Sequence, residues 1–436
     1  MKFKIHRGTK EIGGSCVEVW TDNTRILLDF GMPLSEKDGS NFDFSKYKTL
    51  NADELVKQGI LPDVPGLYND TDKLIDGVII SHPHQDHYGL SHFINKNVRY
   101  YSGEAAHRII ELNNLFTPQE VNIDNVIYFE KEKAFQIGDF SITAYWADHS
   151  AFDAYSFLVE AEGKSIFYSG DFRSHGRKAK AFEWFIKHAP QNVDYLLLEG
   201  TTIGRQNKTF KTKTETDIES ELVELFKHPG KINLIYTSGQ NIDRIVSIYR
   251  ACIKTDKILV VDVYVATILK ELSSFAKIPY PSPAFDKLKV MFTYFTDKRL
   301  TAHGNENIIY QFKDYKITKA EISEHADKIV MLVRPSMQVD LDKIADIDGG
   351  NMVYSMWDGY LLKPDTKKFI DYLKRRQFNI YEIHTSGHAD IATLKQMVDA
   401  IKPKNIVPIH TFSASEYHKI FTIPVIEMND GEIRQT

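Results

Sequence analysis

Four residues able to bind a metal crowd into the stretch Ser81–Gly89, which reads SHPHQDHYG: His82, His84, Asp86 and His87. Imidazole nitrogens and a carboxylate are the donors that borderline divalent ions such as zinc prefer, and manganese accepts them too. In an extended segment alternate residues face the same way, so His82 and His84 can address one ion. Asp86 and His87 follow at the corner and can face a second. Upstream, the apolar run Lys73–Ile80 (KLIDGVII) predicts a buried strand, so the ligands leave a rigid strand end. Tyr88–Phe93 is expected to open a helix. A solvated polar turn would not need four ligand-type side chains at this density.

Three further candidates also follow predicted strands: His149 after Ser141–Trp146, Asp171 in SGDF after Ser165–Ser169, and His410 after Asn405–Ile409. Taken singly, a strand-end histidine is more often structural. Together with the first stretch these residues can complete two sites. One ion is assigned to His82, His84 and His149, and a second to Asp86, His87 and His410, with Asp171 between them. Two divalent ions about 3.5–4 Å apart activate a water and neutralise charge on a transferring group.

The elements that must position these residues fall into two styles. Residues 2–31 predict a β-rich start, with the hairpin Val17–Trp20, Arg25–Phe30 around Thr21–Thr24 and tight turns at Gly13 and Gly14. A helix is expected near Ala52–Gln58 and another over Gly103–Leu115. Strands at Val126–Phe129, Ser141–Trp146, Tyr155–Glu160 and Ser165–Ser169 form a meander. The helix Ala179–His188 and the strand Tyr195–Leu198, ending on Glu199, follow. After Gly204–Arg205 helices alternate with apolar strands: Glu215–Lys227, Ile232–Tyr236, Ile242–Ile253, Lys257–Val261 and Tyr264–Phe275. A polar stretch then precedes strand Lys328–Val333, helix Val339–Ile347 and strand Met352–Met356. Such alternation implies a parallel sheet. Strand Ile380–Ile383, helix Ile391–Ile401 and strand Asn405–Ile409 are expected to return to the first style. The domains predicted are therefore 1–204, 205–379 and 380–436, the outer two forming one body interrupted by the middle one.

The 436 residues are 42% hydrophobic and 26% charged, ordinary for a globular protein. No run is long and apolar enough to span a bilayer, and the N-terminus lacks the apolar region of a secretory signal, so no membrane partner is expected. Two isolated cysteines, Cys16 and Cys252, make no disulfide framework and suit a reducing cytoplasm. The net charge of −5 does not advertise a nucleic-acid binder, but bound dications and a local basic groove would offset it.

Leu28–Asp29, the His82–His87 stretch, His149 and Asp171 resemble, in that order, the motifs of the metallo-β-lactamase fold. Glu199 in LEG, His388 in HTSGHA and His410 in PIH resemble the further motifs of its β-CASP group, and the SGHA form is similar to ribonuclease J. The resemblance covers essentially the whole chain. It implies an α/β fold: an αβ/βα sandwich interrupted by an α/β cap, with two divalent ions, zinc or manganese, at the sheet edges. It implies hydrolysis of phosphodiesters in single-stranded nucleic acid, foremost RNA. Asp86, Glu199 and His388 would be catalytic, with His388 protonating the leaving oxygen beside Glu199. Asp29 would orient the metal ligands. Ser386 and Gly387 would contact a phosphate, as would the basic run Arg173, His175, Arg177 and Lys178, which otherwise reads as a solvated loop. Lys208, Lys211 and Lys213 at the start of the cap, and Lys374, Arg375 and Arg376 near its end, could flank a polyanion's path but read more simply as solvated charge. Tyr236, Tyr264, Trp357 and Tyr360 could stack bases but read more simply as core.

The chain also departs from ribonuclease J. It reads FRSHGR after Asp171 and Thr411–Phe412 after His410, and it ends at Thr436, where that enzyme typically continues into another domain. A ribonuclease J-like relative is therefore expected. The same residues would serve exonucleolytic and endonucleolytic cleavage, RNA and DNA alike, in a monomer or a homo-oligomer. A small-molecule hydrolase of thioesters, lactones or β-lactams on the same scaffold is the alternative, and a non-catalytic nucleic-acid-binding protein a third. The cap and the Glu199, His388 pair argue against the former, the full ligand set against the latter.

Overall fold

Side-chain alternation along the strands sorts the first part of the chain into layers. In the strand Arg25–Leu28, Ile26 and Leu28 point one way and Leu27 the other. In the strand Gly77–Ile79, Ile79 joins the first set and Val78 the second. A second sheet does the same: Phe157, Ile166, Leu197 and Val407 face inward, while Leu158, Phe167, Leu196 and Ile406 face out. The two inward sets meet in one core. The outer faces are covered by helices, Ala52–Gln58 and Glu104–Phe116 on the first sheet and Ala179–His188 and Ile391–Ile401 on the second. Each buried aliphatic or aromatic side chain contributes about 1.5–3 kcal/mol, so both faces of each sheet are needed to hold it. The result is a four-layer αβ/βα sandwich.

This computed structural model describes residues 1–36, 38–68, 75–118, 120–205, 212–228 and 230–436. Lys73, Lys208 and Lys211 lie outside them. The chain forms two compact units. The first comprises 1–114, 119–211 and 387–436, the second 115–118 and 212–386.

The first unit's seven-stranded sheet runs in the order Ile433–Gln435, Lys2–Arg7, Cys16–Trp20, Arg25–Leu28, Gly77–Ile79, Tyr100–Ser102, Val126–Tyr128. It is antiparallel up to Arg25–Leu28 and parallel beyond. The six-stranded sheet runs Asn405–Ile409, Tyr195–Glu199, Lys164–Tyr168, Ala154–Ala161, Phe140–Ala147, Ala134–Ile137. Three strands of the expected meander lie here, but the fourth, Val126–Tyr128, pairs in parallel with Tyr100–Ser102 in the first sheet, and Ala134–Ile137, not expected, takes the edge beside Phe140–Ala147. Local signals place the helices well. Asn51 and Glu54 form a capping box at Ala52–Gln58, which ends on Gly59 at φ 73°, and Asp390 caps Ile391–Ile401.

The second unit is one parallel six-stranded sheet, in the order Leu288–Met291, Ile258–Asp262, Ile329–Val333, Asn233–Tyr236, Asn351–Tyr354, Asn379–Glu382. Central strands such as Ile329–Val333 are buried throughout, as parallel strands are.

Several expectations need correction. The strand expected to begin the last segment instead pairs in parallel with Asn351–Tyr354, so it belongs to the second unit, whose limits are 212 and 386 rather than 205 and 379. The polar stretch after Pro279 hides the strand Leu288–Met291 and the helix Tyr294–Ala302. The helix expected over Val339–Ile347 is one turn, Gln338–Leu341, and a helix at Pro364–Arg375 was not foreseen. The helix expected at Tyr88 starts earlier, at Gln85, so Asp86 and His87 sit within its single turn. Among the described residues no helix is long and apolar enough to cross a membrane.

Candidate metal centre

Backbone contacts clamp the loop that carries the first four candidates. Ser15 N donates to Asp86 O (3.0 Å), Phe30 N to His87 O (2.8 Å) and Met32 N to Gln85 O (2.9 Å). Gly31 lies so close that a Cβ there would fall 1.7 Å from Asp86 O, so only glycine permits this approach.

Asp29 ends its strand in a left-handed conformation, φ 60°, and is fully buried. Its carboxylate accepts from Ser81 N, Ser81 Oγ and Tyr168 OH, each at 2.7 Å, and faces His87 Nδ1 at 2.7 Å. That contact occupies Nδ1 and turns His87 Nε2 toward Asp171 Oδ2, 3.1 Å away. Burial alone would lower the His87 pKa. The carboxylates of Asp171, Asp29 and Asp86 outweigh it and raise the pKa well above the ordinary range.

Two clusters of donor atoms follow. In the first, His84 Nδ1 lies 3.2 Å from His82 Nε2 and 3.3 Å from His149 Nε2. Burial, reinforced by the neighbouring imidazoles, pushes His82 and His149 well below their usual pKa. Burial takes His84 to about 4. Three neutral imidazoles therefore aim ring nitrogens at one point, the donor set a dication takes.

The second cluster is Asp86, His87, Asp171 and His410. His410 Nε2 sits 3.3 Å from Asp86 Oδ2, and Thr201 Oγ1 lies 2.9 Å from His410 Nδ1. Burial would raise the Asp86 pKa, but His87 and His410 hold it at about 2. Asp171 reaches toward both clusters. Its Oδ2 is 3.1 Å from His87 Nε2 and 3.8 Å from His82 Nε2, while its buried Oδ1 makes no hydrogen bond. A buried carboxylate oxygen with no donor is costly unless a cation takes it. His149 Nδ1 is likewise buried without a hydrogen bond. The residues present fit divalent ions.

Beside them, Glu199 is fully buried and accepts from Thr201 N (3.0 Å), Ala389 N (3.3 Å) and Phe172 N (3.4 Å). His388 Nδ1 lies 3.5 Å from Glu199 Oε1 and 3.7 Å from Asp171 Oδ2. Burial opposes its charge, yet Glu199 and then Asp171 raise its pKa. Gly387 packs against the loop of His149, where a Cβ would fall 2.4 Å from Ser150 Oγ. Ser386 is half-buried and ends the second unit, as Gly387 opens the last segment of the first.

The basic run behaves differently from a solvated loop. Arg173 is fully buried, with Nε 3.3 Å from Asp148 Oδ1. Its own N–H donates to Asp148 O, and Gly176 N donates to Asp148 Oδ2 (2.7 Å). This corrects the expectation for Arg173: it braces the loop bearing His149 against the loop after Asp171. His175 is buried too, while Arg177 is half-buried. Of the proposed stacking residues, Tyr236 packs edge-on against Tyr354 and Phe369 in the core, Tyr264 is buried, and Trp357 is exposed. Sequence reasoning missed Ser81, Asp148, Tyr168 and Thr201. Ser81 and Asp148 directly precede the candidates His82 and His149, and Thr201 lies two residues past Glu199, which is a usable signal. Nothing local marks Tyr168.

Comparison with known proteins agrees with this geometry. Residues 52–237 match the β-lactamase superfamily domain, and residues 372–416 match the Zn-dependent metallo-hydrolase RNA specificity domain. Ribonuclease J of Helicobacter pylori is 24% identical over 409 residues, which is 92% of this chain and 55% of that protein. An RNase J-like protein of Methanocaldococcus jannaschii is 25% identical over 60% of this chain and 57% of its own length. Integrator complex subunit 11 of Gallus gallus is 20% identical over 92% of this chain and 67% of its own length. The chain thus spans little more than half the length of the ribonuclease J it matches. A crystal structure of a protein of unknown function from Enterococcus faecalis superposes with a TM-score of 0.74, covering 99% of each chain at 21% identity, a likeness of fold. With the ordered motifs, the sandwich and the two matched domains together, the chain belongs to the metallo-β-lactamase superfamily, in its β-CASP, ribonuclease J-like group.

Proposed function

We propose that the chain is a metal-dependent ribonuclease acting on single-stranded RNA. One observation carries this reading: two donor clusters meet at Asp171, and the His388–Glu199 pair lies against the same carboxylate. His82, His84 and His149 would hold one ion and Asp86, His87 and His410 the other, with Asp171 between them. Zinc suits the histidine-rich side and manganese the carboxylate side. Bound there, the ions would acidify a water and neutralise charge on the phosphoryl group. Asp29 fixes the ring of His87, Thr201 that of His410, and the Arg173–Asp148 pair the spacing of the two loops. His388, kept protonated by Glu199, gives its proton to the leaving oxygen. Asp86, ionised at neutral pH, serves the reaction as well as the ion.

RNA is favoured over a small ester because the RNA specificity match covers Ser386, Gly387, His388 and His410. The two buried free cysteines, Cys16 and Cys252, suit a reducing cytoplasm. The test is a timed digest of end-labelled single-stranded RNA and DNA of one sequence with metal-loaded protein, beside the Asp86→Ala and His388→Ala variants. Loss of RNA with wild type alone is the expected result, and the product ladder distinguishes stepwise from internal cleavage. Intact RNA and DNA with metal demonstrably bound would overturn the reading in favour of a small ester or lactone.

A further inference from the structure

Three buried residues of the second unit take no part in the chemistry described so far, yet they form one network: Glu215, Arg244 and Ser355. Glu215 opens the helix Glu215–Lys227, and Arg244 lies in the first turn of the helix Ile242–Lys254, whose cap Asn241 accepts from Arg244 N at 3.1 Å. Ser355 follows the strand Asn351–Tyr354. Arg244 meets Glu215 through two bonds, Nε to Oε2 at 3.1 Å and Nη2 to Oε1 at 2.9 Å, and Ser247 Oγ donates to Glu215 Oε2 at 2.8 Å.

The rest of the guanidinium faces two strand ends. Nη1 donates to the Ser355 hydroxyl, whose own proton goes to Ile383 O at 2.6 Å. Nη2 reaches Thr385 O at 3.4 Å, and Nη1 lies 3.5 Å from His384 Nδ1. Ile383 N donates to Tyr354 O at 3.2 Å, and Thr385 Oγ1 to Lys213 O at 2.5 Å. The backbone of Ile383–Thr385 is thus held at each end. From there the chain passes through Ser386 and Gly387 to His388, which sits against Glu199.

Stability does not call for this arrangement. A buried ion pair recovers little beyond its desolvation cost, and apolar side chains of similar volume often do as well. The helix dipole also disfavours a cation in the first turn. What arginine supplies is geometry: its rigid fork binds a carboxylate with one side and donates to two loops with the other, which lysine cannot do.

We infer that the Arg244–Glu215 pair, acting through Ser355, is a positioning device for the proton-donor loop: it fixes Ile383–Thr385 so that His388, three residues on, keeps its place. Neither residue touches the reacting atoms. The inference deepens the proposed reaction and rests on His388 as its proton donor. A misplacement of about 1 Å can cost about 10²-fold in rate. Every residue assigned to the ions belongs to the first unit, so the effect should fall on turnover and not on metal content.

The test is a mutant cycle on the metal-loaded full chain. Cleavage of end-labelled single-stranded RNA, metal content, melting temperature and hydrogen exchange over residues 383–388 are read for each variant. Arg244→Met with Glu215→Met should melt near wild type, keep its metal, exchange faster over 383–388 and lose about 10–100-fold in kcat with KM little changed. Arg244→Lys keeps the charge but not the fork and should lose nearly as much. Ser355→Ala cuts only the link to Ile383 O and should lose less. In the His388→Ala background the paired Met change should cost almost nothing further, because the group it positions is gone. Full turnover in the Met pair, or an equal loss with and without His388, overturns the inference, since a merely structural pair would lower both backgrounds alike. If the Met pair does not fold, Arg244→Lys and Ser355→Ala in the two backgrounds decide by the same criterion. Faster exchange over 383–388 with no RNA cleaved by wild type keeps the anchor and ends the ribonuclease reading. Unchanged exchange there ends the anchor, whatever wild type cleaves.

Discussion

The two donor clusters, one of three histidines and one of two histidines and two aspartates, are assembled by opposite means. His82, His84 and His149 are driven neutral by burial and touch one another, with Ser81 Oγ 3.0 Å from His82 Nδ1 and the Arg173–Asp148 pair bracing the loop of His149. Asp86, His87 and Asp171 are charged, pair among themselves with His410 beside them, and the cluster is gripped from behind by Asp29, Tyr168 and Thr201. The first cluster offers neutral imidazole nitrogens, of which His149 Nδ1 is buried without a hydrogen bond. The second is preassembled by its own ion pairs, which a bound dication would have to replace. The contrast teaches where each site is vulnerable: the first to pH, the second to loss of the groups behind it.

The comparison breaks first at Asp171, which belongs to the second cluster and lies 3.8 Å from His82 of the first. Asp171→Asn should lower both metal occupancies and cost on the order of 10³-fold or more in RNA cleavage, read by metal analysis and turnover together. His388→Ala leaves both clusters intact, so it should cut turnover about 10²–10⁴-fold with metal content unchanged. In the same pair, Glu199→Gln removes the charge that raises the His388 pKa. Since the proton donor must be charged, the alkaline limb of the pH–rate profile should move to lower pH.

Smaller changes sharpen the contrast. Gly31→Ala would drive a methyl into Asp86 O, so it should displace the Asp86, His87 side and cost about 1–3 kcal/mol in a denaturant titration. Tyr168→Phe removes a hydroxyl 2.7 Å from Asp29, and Thr201→Val one 2.9 Å from His410 Nδ1. Each should weaken the ion on the carboxylate side about 10–100-fold while sparing the three-histidine side, which stepwise metal titration resolves.

The smallest effect should appear without metal. His84 titrates near 4 rather than at its ordinary 6.5, so the unfolded chain binds more protons between those values. The metal-free protein should therefore lose stability as pH falls from about 6.5 toward 4, and His84→Gln should blunt that slope in thermal melts.

The ligand stretch was legible because four donors in six residues have few other uses, and His149, Asp171 and His410 because strand ends are easily read. The groups that aim those ligands were not. Tyr168 reaches Asp29 across 139 residues of chain, and the buried bond between Arg173 and Asp148 joins two loops that look merely polar. A local pattern cannot report a partner that only tertiary packing supplies. The same limit explains the fold's misreadings. The short strand Leu288–Met291 sits between polar segments, and Asn379–Glu382 joins the second unit through pairing with Asn351–Tyr354, which periodicity alone does not assign.

The most direct test of the account is a titration of metal-stripped protein with zinc or manganese, following cleavage of end-labelled RNA at each addition. Two clusters acting together predict little activity at one equivalent and a plateau at two. Full activity at one equivalent, or none at any occupancy, would contradict it.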